Sequence, residues 1–214
     1  MLKKWTVLIA IILLLVLVGC SSPSHEPALG NQLLNETFDS PNAWETYLDD
    51  GVALQVMDGA YRVQTGDAGY IWGLNEQNHS DVVIEVEASQ LSTFENNAYG
   101  VMCRSDTSNN GDGYYFLVSG DGYYAISKGE GEDVTPLVDW TSNSAINKGT
   151  ATNTIRAVCV GDYLALYVNG KFMAETNDSS YANGYAGFAA TAFEGGDTDI
   201  SFDNLTIQEA SLGE

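Results

Sequence analysis

The residues of this sequence that could do chemistry are mainly aromatic and acidic. Two tyrosine pairs, Tyr114-Tyr115 and Tyr123-Tyr124, flank a Ser119-Gly120-Asp121-Gly122 turn in the stretch GYYFLVSGDGYYAISKGE, residues 113–130. Side chains alternate between the two faces of a strand, so a two-layer sheet protein buries one member of each pair and leaves the other for the surface. Tyr115 and Tyr124, beside Arg104 and Trp140, are the candidate exposed row. Sugar rings stack their flat C–H faces on aromatic rings and offer hydroxyls to Asp, Asn and Arg, so such a row suits a glycan chain. The competing reading is that cross-strand tyrosine pairs only stabilise the hairpin, by ~0.2–1 kcal/mol each.

The second candidate chemistry is a carboxylate pair. Glu85 and Glu87 are two positions apart in DVVIEVEAS and so share a strand face. A retaining glycosidase needs two carboxyls ~5–5.5 Å apart, one of them held protonated. The run Glu85-Val-Glu87-Ala-Ser-Gln90 resembles the strand motif of family 16 glycoside hydrolases, Glu-x-Asp-x-x-Glu, but Gln90 stands where the third acid belongs. A solvated strand face carrying acids fits the same pattern. His25 and His79 fall in polar segments, and neither a Ser-His-Asp set nor a Cys/His metal cluster can be assembled from the sequence. No catalytic residue is assigned; a glycoside hydrolase is the enzyme class to test.

The chain opens with MLKKWTVLIAIILLLVLVGC: a basic start, an apolar run from Val7 to Val18, then Gly19 and Cys20. The run is too short for a membrane span and fits a signal peptide over residues 1–19. Leu17-Val18-Gly19-Cys20 resembles the lipobox of bacterial lipoproteins. That resemblance implies a diacylated Cys20 as the first mature residue, a lipid anchor in a bacterial membrane and an extracytoplasmic domain. Ser21–Gln32 is small, polar and broken by two prolines, and reads as a flexible tether. Residues 33–214 then form one domain large enough for a sizeable core.

The sequence has 8 Lys and Arg against 29 Asp and Glu, a formal charge of −21; without Lys3 and Lys4 the balance is 6 against 29, or −23. Such a surface repels nucleic acid and anionic lipid heads, which argues against a nucleic-acid partner. It attracts cations, and it also serves solubility alone.

The elements that must position these residues are strands. Short alternating segments separated by Gly, Asn and Asp dominate, with no sustained helical period. Val52–Thr65 reads as a hairpin with a type I′ turn at Asp58-Gly59, and residues 154–176 as three strands joined at Gly161-Asp162 and Asn169-Gly170. About twelve or more strands at ~10-residue spacing predict an all-β, two-sheet antiparallel sandwich or jelly roll. Cys103 and Cys159 lie in strand-like segments of an exported chain, which favours a bridge between them. If the two share a face, Arg104 and Arg156 fall on the opposite one. Two buried free thiols are the alternative.

The ordered motifs YGVMCR, YYFLVSGDGYYAISK, VDWTSNSAI, NTIRAVCVGDYLALYVNGKFMAE, YANGYAGFAA and SFDNLTI together resemble the concanavalin A-like lectin/glucanase sandwich. The branch is that of laminin G-like and 3-keto-disaccharide hydrolase domains. The resemblance implies a jelly roll whose terminal FDN strand pairs with LNETF near the N-terminus. It also implies calcium where those strands meet, at Asp203 with Glu36 or Asp39; the alternative is that Asp203 only accepts a hydrogen bond from a neighbouring turn. The resulting expectation is a lipid-anchored sandwich that binds glycan or cell-envelope polysaccharide without catalysis. Its alternatives are a structural or protein-interaction module without a small ligand, and a glycoside hydrolase.

Overall fold

The computed structural model describes residues 22–40, 44–66, 68–131 and 133–213. The expected signal peptide and Cys20 lie outside them. Among the described residues fifteen strands are formed: β1 Pro27–Glu36, β2 Tyr47–Asp49, β3 Val52–Met57, β4 Ala60–Thr65, β5 Ile71–His79, β6 Val82–Gln90, β7 Asn97–Ser105 and β8 Gly113–Val118. The rest are β9 Tyr123–Glu130, β10 Asp133–Ser142, β11 Thr152–Val160, β12 Tyr163–Val168, β13 Lys171–Asn177, β14 Gly184–Ala192 and β15 Thr198–Leu212. Turn chemistry sets several of these boundaries. Asp58 and Gly59 (φ 54° and 75°) and Asn169 and Gly170 (φ 52° and 70°) all take the left-handed conformation of a type I′ turn, whose twist suits a tight hairpin.

The strands form two antiparallel sheets. The back sheet runs β13-β12-β11-β6-β15-β4-β3-β2, with β1 also paired to β15, and the front sheet runs β10-β9-β8-β7-β14-β5. The main core lies between them and is built from alternate residues of both, among them Val86, Ile155, Leu166, Phe116, Ile126, Phe188 and Phe202. Phe188 of the front sheet stacks on Phe202 of the back sheet with centroids 4.2 Å apart. Cys103 of β7 and Cys159 of β11 are joined as a disulfide inside this core, so one covalent link ties the sheets together.

The first and last strands meet as expected, with Leu34 opposite Ile207 and Glu36 opposite Leu205. The tether is shorter than its composition suggests. Pro27–Gln32 belongs to β1, and its ladder with β15 begins at Pro27 opposite Leu212. Strand pairing uses backbone groups whatever the side chains are, and most side chains of β1 remain exposed, which explains their polarity. Upstream, the Ser24 amide donates to Glu175 Oε2 (2.8 Å), and the His25 ring meets Tyr163 edge-on at 5.1 Å.

Each sheet also has a second apolar face. On the outer side of the back sheet Val83, Val158, Val160, Tyr163, Ala165 and Tyr167 are buried beneath Phe172, Ala210 and Leu212. On the outer side of the front sheet Leu74, Ala98, Met102, Tyr115, Leu117 and Ala189 lie beneath Tyr70, Trp72, Val134, Trp140, Tyr185 and Phe193. That outer face of the front sheet is paved with aromatic rings.

Candidate functional site

The hairpin β8–β9 supplies the centre of the front sheet. Its turn, Ser119–Gly122, is tied at several points: the Ser119 amide donates to Tyr123 O (2.9 Å), the Gly122 amide to Ser119 O (3.0 Å) and the Tyr123 amide to Ser119 Oγ (3.0 Å). Ser119 Oγ donates to Asp121. The turn is also fastened from outside, because the Gly120 amide donates to Asn97 Oδ1 (2.9 Å). Asn97 Nδ2 donates in turn to Gln90 Oε1 (3.2 Å) and Phe94 O (2.9 Å), while Gln90 Nε2 donates to Ser92 O and Phe94 O. Gly120 must lack a side chain here, since a Cβ would come within 2.5 Å of Gln90 Oε1. Gln90, placed by the sequence motif where a third acid would stand, is thus a buried organiser of the β6–β7 loop.

An open groove of about 510 Å3 runs past this turn, lined by Asn96, Asn97, Ser119, Asp121, Tyr123, Trp140, Phe193 and Glu194. This volume is in the range of small-molecule sites. Three elements contribute its rings. Tyr123 opens β9 and is 40% exposed. Trp140 sits in a bulge of the edge strand β10, between the pairs Val138–Ile126 and Thr141–Tyr124, and a bulge re-aims the side chain it carries. Phe193 follows β14 and meets Trp140 edge-on, centroids 5.9 Å apart at 89°. Beside it Glu194 holds φ 59°, a left-handed conformation costing a residue with a Cβ ~1–2 kcal/mol. Among the described residues no Lys or Arg lines the groove, although Lys148 approaches Gly122 of the same turn.

Of the residues expected from sequence, Trp140 alone lines this groove. Tyr124 belongs to the main core, where its hydroxyl donates to Met173 O (3.0 Å). The reason is register: Val118 pairs with Tyr124 across the turn, so Tyr124 shares the inward face and Tyr123 the outward one. Tyr115 is on the outer face but fully buried beneath Tyr70 (5.6 Å), with its hydroxyl donating to Gly111 O (2.7 Å). Arg104 lies at the opposite end of β7. A left-handed φ of 53° breaks the strand alternation there, and the side chain is buried. It donates to the carbonyls of Ser80 (3.0 Å), Gly161 (2.7 Å) and Tyr181 (3.0 Å) and to Asp81 Oδ1 (3.1 Å). Burial lowers its pKa, with Asp81 opposing the shift.

The carboxylate candidates are placed elsewhere. Glu85 and Glu87 are exposed on β6 of the back sheet, where Arg156 faces Glu85 across the ladder and Asn204 Nδ2 donates to Glu87 Oε2 (3.0 Å). Neither lines the groove. Asp203 Oδ1 accepts the Asn204 amide (2.7 Å), Glu36 Oε1 accepts the Phe38 amide (2.8 Å), and Asp39 Oδ2 accepts Thr37 Oγ1 (2.8 Å). Among the described residues no three of the His, Cys, Asp and Glu side chains come together as a metal site. Asp203 and Glu36 thus each accept a backbone amide of their own segment. His79 ends β5, nearly buried, and burial lowers its pKa.

Reading the sequence missed Asn96, Asn97, Ser119, Asp121, Tyr123, Phe193 and Glu194 as groove residues. No local signal marked Tyr123, because a four-residue turn would pair Val118 with Tyr123 whereas Val118 pairs with Tyr124; Phe193-Glu194-Gly195-Gly196 does have the composition of a loop.

The architecture defines a fold class, an all-β antiparallel jelly-roll sandwich of two sheets. The chain is similar to the carbohydrate-binding module CBM66 from Bacillus subtilis, at 18% identity and a TM-score of 0.64, over 79% of this chain and 97% of that one. It is similar to a Bacillus subtilis protein of unknown function with a galectin-like fold (11%, TM-score 0.63, 86% and 99%) and to Bacillus licheniformis β-glucanase (8%, TM-score 0.60, 84% and 98%). At these identities the likeness is one of fold. No family model and no curated protein matches the chain.

Proposed function

We propose that this protein binds glycan non-catalytically through the groove at the β8–β9 turn. The observation that supports this most directly is the meeting of Tyr123, Trp140 and Phe193 with amide, hydroxyl and carboxylate side chains along one open surface. Rings supply flat apolar faces, and Asn96, Ser119 and Asp121 supply polar partners for hydroxyls. The lining acids Asp121 and Glu194 disfavour uronic and sialic acids on charge grounds, so the class of ligand is neutral. Solved proteins of the same fold include a carbohydrate-binding module, and this agrees with the reading without establishing it.

Retardation of the residue 22–214 domain in gels containing laminarin, barley β-glucan, xylan, galactomannan or starch tests the proposal. At least one should slow the wild-type protein, and Trp140→Ala should cut that affinity ~3–10-fold, the range for losing one aromatic stacking partner. No retardation in any gel, with the domain folded, removes the proposal and favours an interaction module. Release of reducing sugar from a retained polysaccharide would replace it with a hydrolase.

We further propose that Cys20 anchors the chain to a bacterial membrane, outside the cytoplasm. Ser24 and His25 are held on β13 and β12 of the back sheet, and Ser24 is only four positions after Cys20, a reach of ~14 Å. An anchor there would sit beside the back sheet and leave the front-sheet groove facing away from the bilayer. Cys20→Ala should shift the protein from the membrane to the soluble fraction; unchanged membrane association would remove the anchor.

A further inference from the structure

A second groove lies at the edge of the same front sheet. It measures about 220 Å3 and is lined by Glu45, Tyr47, Val52, Leu54, Tyr70, Ile71, Trp72 and Asn109. By itself it falls below the ~300–1,000 Å3 of independent small-molecule sites. Its chemistry nevertheless repeats that of the first groove, with three aromatic rings, one amide, one carboxylate and no lysine or arginine among the described lining residues. Its polar groups are held in place. Trp72 Nε1 donates to Asn109 Oδ1 (2.6 Å), and Asn109 Nδ2 donates to Glu45 Oε1 (3.1 Å).

The two grooves adjoin. Phe193 of the first meets Tyr70 of the second edge-on, with centroids 6.4 Å apart, and Phe193 also meets Trp140 at 5.9 Å. Trp140, Phe193 and Tyr70 therefore form a continuous row from the edge strand β10 towards the opposite edge strand β5, where Trp72 and, from the adjoining back-sheet strand β2, Tyr47 continue the aromatic surface. A space too small for a ligand of its own, next to a larger one that likewise combines three rings with amide and carboxylate groups, suits successive units of one chain molecule.

We infer that the two grooves are subsites of one track across the front sheet, and that the ligand is an unbranched neutral polysaccharide bound along its length. This rests on the glycan-binding reading above and adds to it a chain length and a second set of contacts, Tyr47 foremost. Tyr47 is suited to testing because it is 49% exposed and its hydroxyl donates to Asp49 (3.1 Å) in its own strand, so its loss leaves the core intact.

The experiment uses the linear oligosaccharides, from disaccharide to octasaccharide, of whichever gel polysaccharide retards the wild-type domain, titrated calorimetrically into wild type, Trp140→Ala and Tyr47→Ala. Wild-type affinity should rise with length beyond what the first groove holds. Trp140→Ala should weaken every member that binds, whereas Tyr47→Ala should weaken the long members roughly fivefold and leave the short ones unchanged. Length-independent affinity, or Tyr47→Ala equal to wild type on the octasaccharide, overturns the track while the single-groove reading stands. Absence of retardation by every polysaccharide overturns both.

Discussion

The two ends of the front sheet use polar groups in opposite ways. At the end where β7 finishes, Arg104 is buried and all of its hydrogen bonds go to the protein itself, three of them to main-chain carbonyls. At the end where β7 begins, Asn97 is equally buried and fastens the turn, but Asp121, Tyr123, Trp140 and Glu194 stay open to solvent around a groove. An arginine is therefore no guide to a ligand in this fold. A charged side chain removed from water must be matched internally, and Arg104 is matched by the protein. The groove end instead leaves Tyr123 exposed and Trp140 and Phe193 only half-buried around an open groove.

That contrast can be broken most forcefully at the closed end. Replacing Cys103 and Cys159 together with alanine frees a loop with a sequence separation of 56 and should cost about 4 kcal/mol in denaturant unfolding. Arg104→Met should cost about 3 kcal/mol, because the carbonyls of Ser80, Gly161 and Tyr181 lose their donor. Its ion pair contributes little of this, since the Asp81 side chain is half exposed and screened. Both variants, assayed where they remain folded, should retain wild-type polysaccharide retardation. Loss of retardation in folded Arg104→Met would mean that the two ends are coupled. The smallest stability effect belongs at the open end: Trp140→Ala should change unfolding free energy by less than about 1.5 kcal/mol while weakening polysaccharide binding, since the ring is only partly covered. A larger loss of stability would make Trp140 part of the outer core first and a ligand contact second.

Much of the fold was legible because its signals are local. Asp58-Gly59 and Asn169-Gly170 name their turn type by residue identity, and the alternation in VVIEVEAS marks a strand whose exposed members are Glu85 and Glu87. The expected oxidising compartment favoured a bridge between Cys103 and Cys159 over two free thiols, and the disulfide is formed inside the core. The site was less legible. Strand parity passes through a turn only if the turn's register is known, and Val118 opposite Tyr124 reverses the assignment of Tyr123 and Tyr124. Arg104 departs from its strand's alternation through one left-handed residue. For Ser21–Gln32, polarity indicated solvent exposure correctly for most of β1 but not the absence of structure, because a strand paired through its backbone can be wet on both faces.

The sequence by itself determined an all-β sandwich, its hairpins and its acidity, since period-two hydrophobicity and turn residues act over a few neighbours. Only the tertiary structure decided that Tyr123, Trp140 and Phe193 would share a groove. They come from β9, a bulge in β10 and the loop after β14, and sheet order and register are set by packing between segments remote in sequence.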